Sequence, residues 1–170
     1  MITEKQMTLG RDWCYFNSPN PTGWLISEKI YDVRLYWSGS TFWTRSGQEI
    51  EAPDWFADGL PDIHLDCGIH AGRTGFQIAR NAVNHGEWDR RCRLAIFDVP
   101  QAQGTWPERM AFAPTTAHAA PVSFRVAKSK QDVVSAFHAV KREGGEGLML
   151  REPTSTTYPK GRTSLLLKVK

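Results

Sequence analysis

The chain has 170 residues, of which 41% are hydrophobic and 23% charged, and its formal net charge is +3. This length is enough for one well-buried domain and too short for two ordinary ones, and the composition excludes a disordered polyelectrolyte. The mildly basic balance permits a phosphate-bearing partner without requiring one.

The cysteines and the N-terminus bear on the compartment. Three cysteines without paired spacing predict free thiols in a reducing environment and argue against a disulfide framework or a zinc site. The N-terminus has no apolar segment of signal-peptide length, and no apolar run approaches the ~20 residues that span a membrane. We therefore expect a soluble, cytoplasmic protein.

The first half of the chain predicts short strands. Residues 1–22 are mostly polar and end in a loop rich in Asn and Pro, so we interpret them as a lead-in to one domain over 23–170. Two strand-like runs between residues 24 and 43 flank a Ser-Gly-Ser turn, which predicts a hairpin. A third short strand is expected before Pro53, and alternating polarity predicts another over 62–66.

The second half contains the predicted helices. Apolar spacing predicts helices over 76–84, 106–112 and 129–143. Strand-like runs occupy 93–99, 121–127, 146–151 and 164–170. Ser129 is expected to cap the last helix, because its side chain can accept a hydrogen bond from a free backbone N–H. Many strands, few helices and no regular alternation of the two predict an α+β domain built on antiparallel sheet.

Lys29 is the first residue with chemical interest. It stands between Glu28 and Asp32 at the boundary of a strand-like run. A lysine in such a place is most often a solvated surface charge. The alternative is a lysine nucleophile, which must be neutral to attack and therefore needs burial or nearby positive charge. Segments further along the chain favour the nucleophile.

Six segments occur in the order of the motifs of one enzyme family. They are Ser-Glu-Lys-Ile-Tyr-Asp-Val-Arg at 27–34, Thr-Arg-Ser-Gly at 44–47, Leu-Asp-Cys-Gly-Ile-His at 65–70, Ile-Phe-Asp-Val-Pro at 96–100, Glu-Gly-Leu-Met-Leu-Arg at 146–151 and Leu-Leu-Lys-Val-Lys at 166–170. On these segments, residues 23–170 resemble the nucleotidyltransferase (adenylation) domain of ATP-dependent DNA ligases, especially the minimal bacterial and phage forms. The resemblance implies an α+β adenylation domain built on antiparallel sheet. The OB-fold domain that follows this domain in the family is expected to be absent.

The resemblance implies a covalent mechanism. Lys29 would attack the α-phosphate of ATP and hold AMP as a phosphoramidate, which divides one difficult step into two easier ones. Lys168 and Lys170 would bind the α-phosphate and stabilise its developing charge. Glu146 would contribute to nucleotide binding by holding Mg²⁺ or Mn²⁺. AMP would then pass to the 5′-phosphate of nicked duplex DNA.

Three further side chains would contact the nucleotide or the nucleic acid. Phe97 would stack on adenine, and Arg34 and Arg45 would contact the ribose or the DNA, since a guanidinium suits hydroxyl and phosphate acceptors. Each has a structural alternative. Phe97 could be a core aromatic and Arg45 a turn residue, and the lysine pair near the end of the chain could be a solvated strand edge.

Two motifs depart from the family at functional positions. Tyr31 stands where the family has aspartate and Asp32 where it has glycine; Asp32 could replace the missing carboxylate, but on a strand a shift by one residue reverses the face. Gly68 stands in place of the glutamate of the third motif, and Cys67 in place of the glycine before it. Asp66 is the carboxylate that remains there. Loss of the glutamate predicts that adenylation is impaired, rearranged or lost.

The sequence leaves several interpretations of function. The first is a ligase adenylation domain for nicked duplex DNA. Its OB-fold domain then belongs to a longer chain or is supplied by a partner, or the protein no longer completes nick sealing. A second, within the same chemistry, is an RNA ligase or capping-type nucleotidyltransferase. A third is a catalytically degenerate homologue that binds nucleotide or DNA, for which the substitutions at positions 31 and 68 are the grounds. A purely structural module is the interpretation least favoured by the lysines and the glutamate.

Overall fold

The computed structural model describes residues 6–170, and the first five residues of the predicted lead-in lie outside this range. Two β-sheets form its framework. Sheet A contains, in spatial order, β1 (Thr8–Asp12), β11 (Gly161–Val169), β10 (Gly147–Arg151), β2 (Leu25–Lys29) and β9 (Phe124–Val126). Sheet B contains β5 (Glu49–Ile50), β4 (Phe42–Thr44), β3 (Val33–Ser38), β6 (His64–His70), β7 (Arg93–Asp98) and β8 (Ala119–Pro121).

Four helices accompany the sheets in the described part of the chain: α1 (Asp54–Ala57), α2 (Phe76–His85), α3 (Trp106–Met110) and α4 (Lys130–Arg142). The neighbouring strands pair antiparallel except β1 with β11 and β7 with β8, which are parallel. The structure therefore confirms the predicted α+β class with mostly antiparallel sheets. No helix within residues 6–170 is long and apolar enough to cross a membrane.

The ends of two helices follow from local sequence. The backbone N–H of Asp132 donates a 3.0 Å hydrogen bond to Oγ of Ser129, which caps α4 as predicted. At the C-terminal end of α2, Gly86 adopts a left-handed backbone with φ of 70° and ends the helix. Glycine adopts this conformation at little cost in free energy.

Alternation along the strands gives each sheet one apolar face and one face on a cleft between the sheets. In sheet A, Ile26 and Leu150 pack with Val133 of α4, whereas Ser27 and Lys29 line the cleft. In sheet B, the apolar faces of β3, β6 and β7 form a larger core with α1 and α2. Each core packs against the apolar face of one sheet. The polar residues on the opposite faces of the two sheets line the cleft between them.

The structure differs from the sequence prediction in four places. Strand β1 lies inside the predicted lead-in, and helix α1 was not predicted. The predicted strand over 121–127 is two strands in different sheets, because the chain crosses from β8 to β9. The strand predicted over 62–66 continues to His70. These features depend on partners distant in sequence, such as the pairing of Thr8 with Gly161.

Candidate active site

A cavity of about 810 Å³ lies between the two sheets. This volume falls within the range of small-molecule sites. Every side chain that the sequence predicted for nucleotide binding or catalysis lines this cavity: Lys29, Arg34, Arg45, Phe97, Glu146, Lys168 and Lys170. The fold therefore brings together residues from five separated segments of the chain.

Lys29 and Glu146 are in direct contact. Antiparallel pairing of β2 with β10 places Lys29 opposite Gly147, so that Glu146 lies beside the lysine. Nζ of Lys29 donates a hydrogen bond to Oε1 of Glu146, and both side chains are more than 70% buried. The proposed nucleophile and the proposed cation ligand thus form one ion pair on the cavity wall.

Lys168 and Lys170 converge on a carboxylate that the sequence did not predict. Their Nζ atoms lie 3.1 Å and 3.4 Å from Oδ1 of Asp12, which comes from the edge strand β1. The hydrogen bond from Lys168 holds the pKa of Asp12 below its ordinary value. Both lysines therefore project to the same side, as their spacing predicts, and in this structure they already bind one anion.

Arg34 is committed mainly to a buried carboxylate. Its Nε and Nη2 each donate a 2.6 Å hydrogen bond to Asp66, and Nη2 also donates to the carbonyl oxygen of Thr8 at 3.2 Å. The hydroxyl of Tyr158 donates to the same carboxylate at 2.6 Å. Burial lowers the pKa of Arg34, but the Asp66 carboxylate more than offsets this and the net shift is upward. Asp66 is therefore a structural partner of Arg34 rather than a free carboxylate of the third motif.

Phe97 lies on the cavity wall under Arg34. The guanidinium carbon of Arg34 is 4.9 Å from the centre of the Phe97 ring, a cation–π arrangement that covers one face. Phe97 is half-buried, unlike its strand neighbour Ile96, which is fully buried in the core of sheet B. An aromatic that turns toward a cavity instead of the core fits its predicted role as a base platform.

A second buried ion pair lies behind this wall. Asp98 accepts hydrogen bonds from Nε and Nη2 of Arg109 at 2.8 Å and 2.9 Å, and from Nη1 of Arg151 at 3.2 Å. Asp98 stands opposite Asp66 in the pairing of β7 with β6. Two carboxylates facing each other on neighbouring strands repel, so each needs its own arginine. Sequence reasoning missed this network, although Arg151 ends the fifth motif.

Arg45 lies on the exposed turn that follows β4 and reaches the cavity rim. The turn is fixed locally. The backbone N–H of Gln48 donates a 3.0 Å hydrogen bond to Oγ1 of Thr44, and Gly47 has φ of 84°, where glycine is favoured. The contact of Arg45 with the ribose or the DNA stays a prediction.

Asp32 lines the cavity. It is not part of a strand, so the alternation of side chains along a strand does not determine which way it points. Strand β2 ends at Lys29 and β3 begins at Val33, so residues 30–32 form a link between the sheets and not a strand. Oδ2 of Asp32 is buried and has no hydrogen-bond partner within residues 6–170. Burial raises the pKa of Asp32 to about 6, against the opposing effects of Arg34 and Lys29. The sequence-based objection to Asp32 is therefore wrong.

Two of the other substituted motif positions, Tyr31 and Cys67, lie elsewhere. Tyr31 is 45% exposed and stacks on Phe76 with ring centres 4.4 Å apart. The side chain of Cys67 is buried in the core of sheet B, and its Sγ lies 3.5 Å from the carbonyl oxygen of Leu35. Neither side chain supplies a carboxylate to the cavity.

A divalent cation in this cavity would need ligands from a bound substrate as well as from the protein. Residues 6–170 contain no group of three or more His, Cys, Asp or Glu side chains that could hold a metal ion. Glu146 does present a partly exposed carboxylate to the cavity, and its Oε2 is not used by Lys29. Mg²⁺ is commonly held by one or two carboxylates together with substrate phosphates, so the donor set fits a cation that binds with a nucleotide.

Comparison with known proteins identifies this arrangement. A DNA ligase of Haemophilus influenzae is 31% identical over 166 residues, and the match covers 91% of this chain. A solved structure of a Lig E DNA ligase superimposes with a TM-score of 0.86 at 26% identity, over 97% of this chain and 68% of the ligase. This chain is similar to DNA ligases in both sequence and fold. It spans 60% of the length of the Haemophilus enzyme.

More distant ligases share the fold. The Chlorella virus DNA ligase-adenylate superimposes with a TM-score of 0.77 at 18% identity, over 99% of this chain and 68% of that one. The ATP-dependent DNA ligase of bacteriophage T7 in complex with ATP gives 0.68 at 10% identity, over 98% and 68%. No protein-family model matches the sequence. The chain thus has the nucleotidyltransferase fold that these ligase structures share.

Proposed function

We propose that this chain is the adenylation domain of an ATP-dependent DNA ligase and that it forms a covalent lysyl-AMP at Lys29. The observation that carries the proposal is the convergence of Lys29, Glu146, Lys168 and Lys170 on one cavity. Nucleophile, cation ligand and phosphate-binding lysines are the parts that nucleotidyl transfer to an amine requires.

The chemistry would proceed by displacement at phosphorus. A bond forms between Nζ of Lys29 and the α-phosphorus of ATP, while the bond from that phosphorus to the bridging oxygen breaks and pyrophosphate leaves. The ammonium must first lose a proton, and we assign Oε1 of Glu146, which contacts it, as the first acceptor. Lys168 and Lys170 would exchange Asp12 for the α-phosphate and stabilise its developing charge.

Other groups would position the nucleotide. Oε2 of Glu146 is assigned to Mg²⁺ or Mn²⁺, which when bound would neutralise the phosphates. Phe97 is assigned to adenine. Arg45 and the part of Arg34 that Asp66 does not engage are assigned to the ribose or the DNA.

The assigned substrate is nicked duplex DNA. The relatives that support this assignment are DNA ligases, and they favour it over an RNA ligase or a capping enzyme. An OB-fold domain is the proposed partner, as the resemblance to the ligase motifs implies. The proposed cofactors are ATP and Mg²⁺ or Mn²⁺. The cytoplasmic location stays a prediction.

A second candidate is a degenerate homologue that binds nucleotide or DNA without adenylation. Tyr31 and Gly68 favour it, because two motif positions that carry carboxylates in the family lack them here. Binding without covalent labelling would identify it.

The decisive experiment is the intact mass of the protein after incubation with ATP and either Mg²⁺ or Mn²⁺. Lys29→Ala is the test variant. Lys141→Ala is the matched control, because Lys141 is an exposed lysine on α4. We expect one added adenylate in the wild type and in Lys141→Ala, and none in Lys29→Ala.

Two results would count against the proposal. A folded wild type that gains no adenylate with either metal would exclude catalysis by this chain, and ATP binding without an adduct would identify the degenerate homologue. An adduct that persists in Lys29→Ala would show that another residue is the nucleophile.

A further inference from the structure

Asp32 and Gly68 occupy one small volume on the cavity wall. Oδ2 of Asp32 packs so closely over Gly68 that a Cβ added at position 68 would lie 1.9 Å from Oδ2 and 2.6 Å from Cγ. No real Cβ makes contacts this short. A side chain at position 68 and the present position of the Asp32 carboxylate are therefore mutually exclusive.

Gly68 has an ordinary strand backbone, so conformational freedom does not explain it. It pairs with Arg34 across β3 and β6 and has no positive φ. What the glycine supplies is space. The space is filled by the carboxylate of Asp32, which reaches it from the link after the nucleophile segment.

The two positions have exchanged residue types relative to the ligase motifs. The family motifs place glycine at the position of Asp32 and glutamate at the position of Gly68. In this chain the carboxylate has moved to position 32 and the glycine to position 68, and the two residues touch. The contact makes the two departures one coupled change instead of two independent losses.

The carboxylate is incompletely satisfied in the free protein. Oδ2 of Asp32 is buried without a hydrogen-bond partner within residues 6–170. Such a group destabilises the fold unless something compensates, and buried polar groups without partners are uncommon enough to need an explanation. Lys29 and Arg34 are near enough to act on its charge, but Nζ of Lys29 is taken by Glu146, and Nε and Nη2 of Arg34 by Asp66.

The position of Asp32 indicates which part of a nucleotide it would meet. Asp32 follows Lys29, assigned to the α-phosphate, by three residues, and it packs on Gly68 of β6, the strand beside β7, which carries Phe97, assigned to adenine. The sugar connects these two parts of the nucleotide. A carboxylate is an acceptor and suits the hydroxyl donors of a ribose.

We propose that Asp32 supplies the carboxylate that the third motif lacks and accepts a hydrogen bond from a ribose hydroxyl of the bound nucleotide, with Gly68 providing the room. This inference rests on the proposed function for the choice of ligand. It assigns Asp32 as a contact residue that the family motifs do not contain, and it makes the chain a selective binder of ribonucleotides.

The test measures equilibrium binding by calorimetry in a Lys29→Ala background, where no adenylate can form. ATP, 2′-deoxyATP and 3′-deoxyATP are compared at a fixed Mg²⁺ concentration. Asp32→Ala is the first variant, and Asp58→Ala is the control because Asp58 is exposed and does not line the cavity. We expect Asp32→Ala to weaken ATP binding by about 10- to 100-fold, as for a hydrogen bond to a charged group. The deoxy analogue that lacks the contacted hydroxyl should bind both proteins equally.

Variants at position 68 test the coupling. Gly68→Ala should weaken ATP binding as much as Asp32→Ala, because the new Cβ displaces the carboxylate, and should add no further loss when combined with Asp32→Ala. The reciprocal exchange, Asp32→Gly with Gly68→Glu, should bind ATP more tightly than Asp32→Gly alone. Thermal unfolding of each variant separates a loss of fold from a loss of contact.

The outcomes are distinct. Equal weakening of ATP and both deoxy analogues by Asp32→Ala would overturn the ribose contact, as would an unchanged affinity. Additive losses at positions 32 and 68 would overturn the coupling. Absence of ATP binding in the reference protein would overturn the inference together with the proposed function. Binding with the expected pattern in a wild type that never gains an adenylate would support the inference and contradict the proposed activity.

Discussion

Arg34 donates two 2.6 Å hydrogen bonds to Asp66, whose carboxylate is fully buried between the sheets. The hydroxyl of Tyr158 donates a hydrogen bond to the same carboxylate. Strand β3, strand β6 and the segment before β11 therefore meet at Asp66. The arginine of the first motif is therefore part of the support of the cavity as well as of its lining.

The first prediction concerns this support. Asp66→Asn leaves a buried guanidinium without its charge partner, and breaking such a pair costs about 3–5 kcal/mol of unfolding free energy. Urea unfolding measures the loss. Asp89→Asn is the control, because the pair of Asp89 with Arg91 is on the surface, where such pairs contribute about 0–1 kcal/mol. Equal losses in the two variants would contradict the structural role of Asp66.

The second prediction concerns Glu146. Glu146→Gln removes the negative charge beside Lys29 and a ligand proposed for the cation. We expect the Mg²⁺ concentration for half-maximal adenylate formation to rise by about 10- to 100-fold, the range seen when support of a metal site is lost. Glu143→Gln is the comparison, since Glu143 pairs with Arg73 at the end of α4 and does not line the cavity. An unchanged Mg²⁺ requirement in Glu146→Gln would exclude it as the cation ligand.

The third prediction concerns Asp12, which occupies the lysines proposed to bind phosphate. Asp12→Asn removes a negative charge that competes with ATP for Lys168 and Lys170. We expect ATP to bind about 2- to 5-fold more tightly at low ionic strength and the gain to shrink in high salt, because exposed charges are screened. Calorimetry at two salt concentrations measures this. Weaker binding would show that Asp12 orients the lysines instead.

The fourth prediction concerns pH. The pKa of Asp32 is raised from 3.8 to about 6, mainly by burial, while Arg34 and Lys29 oppose the rise and Glu146 and Asp66 add to it. Between these values the folded protein binds more protons than the unfolded chain, so stability falls as pH rises through this window. The full cost, at most about 3 kcal/mol, is present above pH 6.

Asp32→Asn removes that cost. The variant should therefore be more stable than the wild type at pH 8, and the difference should shrink toward pH 4, where the carboxyl is protonated in the folded state and about half protonated in the unfolded chain. Urea unfolding at pH 4, 6 and 8 without nucleotide or metal measures the difference. A difference that does not change with pH would contradict the assigned titration. A stabilised variant that binds ATP less well would be typical of a residue retained for function.

Local patterns in the sequence determined a large part of this protein. Ser129 predicted the start of α4, because an N-cap hydroxyl satisfies a backbone N–H within its own turn. The spacing of Lys168 and Lys170 predicted that both point to one side, since side chains alternate along a strand. The order of the six motifs predicted the fold and seven of the residues that line the cavity.

Only the tertiary structure decided how those residues are paired. Asp12 meets Lys168 through the parallel pairing of β1 with β11, and Asp32 meets Gly68 because residues 30–32 link one sheet to the other. Neither contact has a periodicity to reveal it, since each joins segments far apart in the chain whose register is set by the packing of whole sheets. Sequence alone showed two missing carboxylates. The fold shows that a carboxylate from position 32 fills the space left open at position 68.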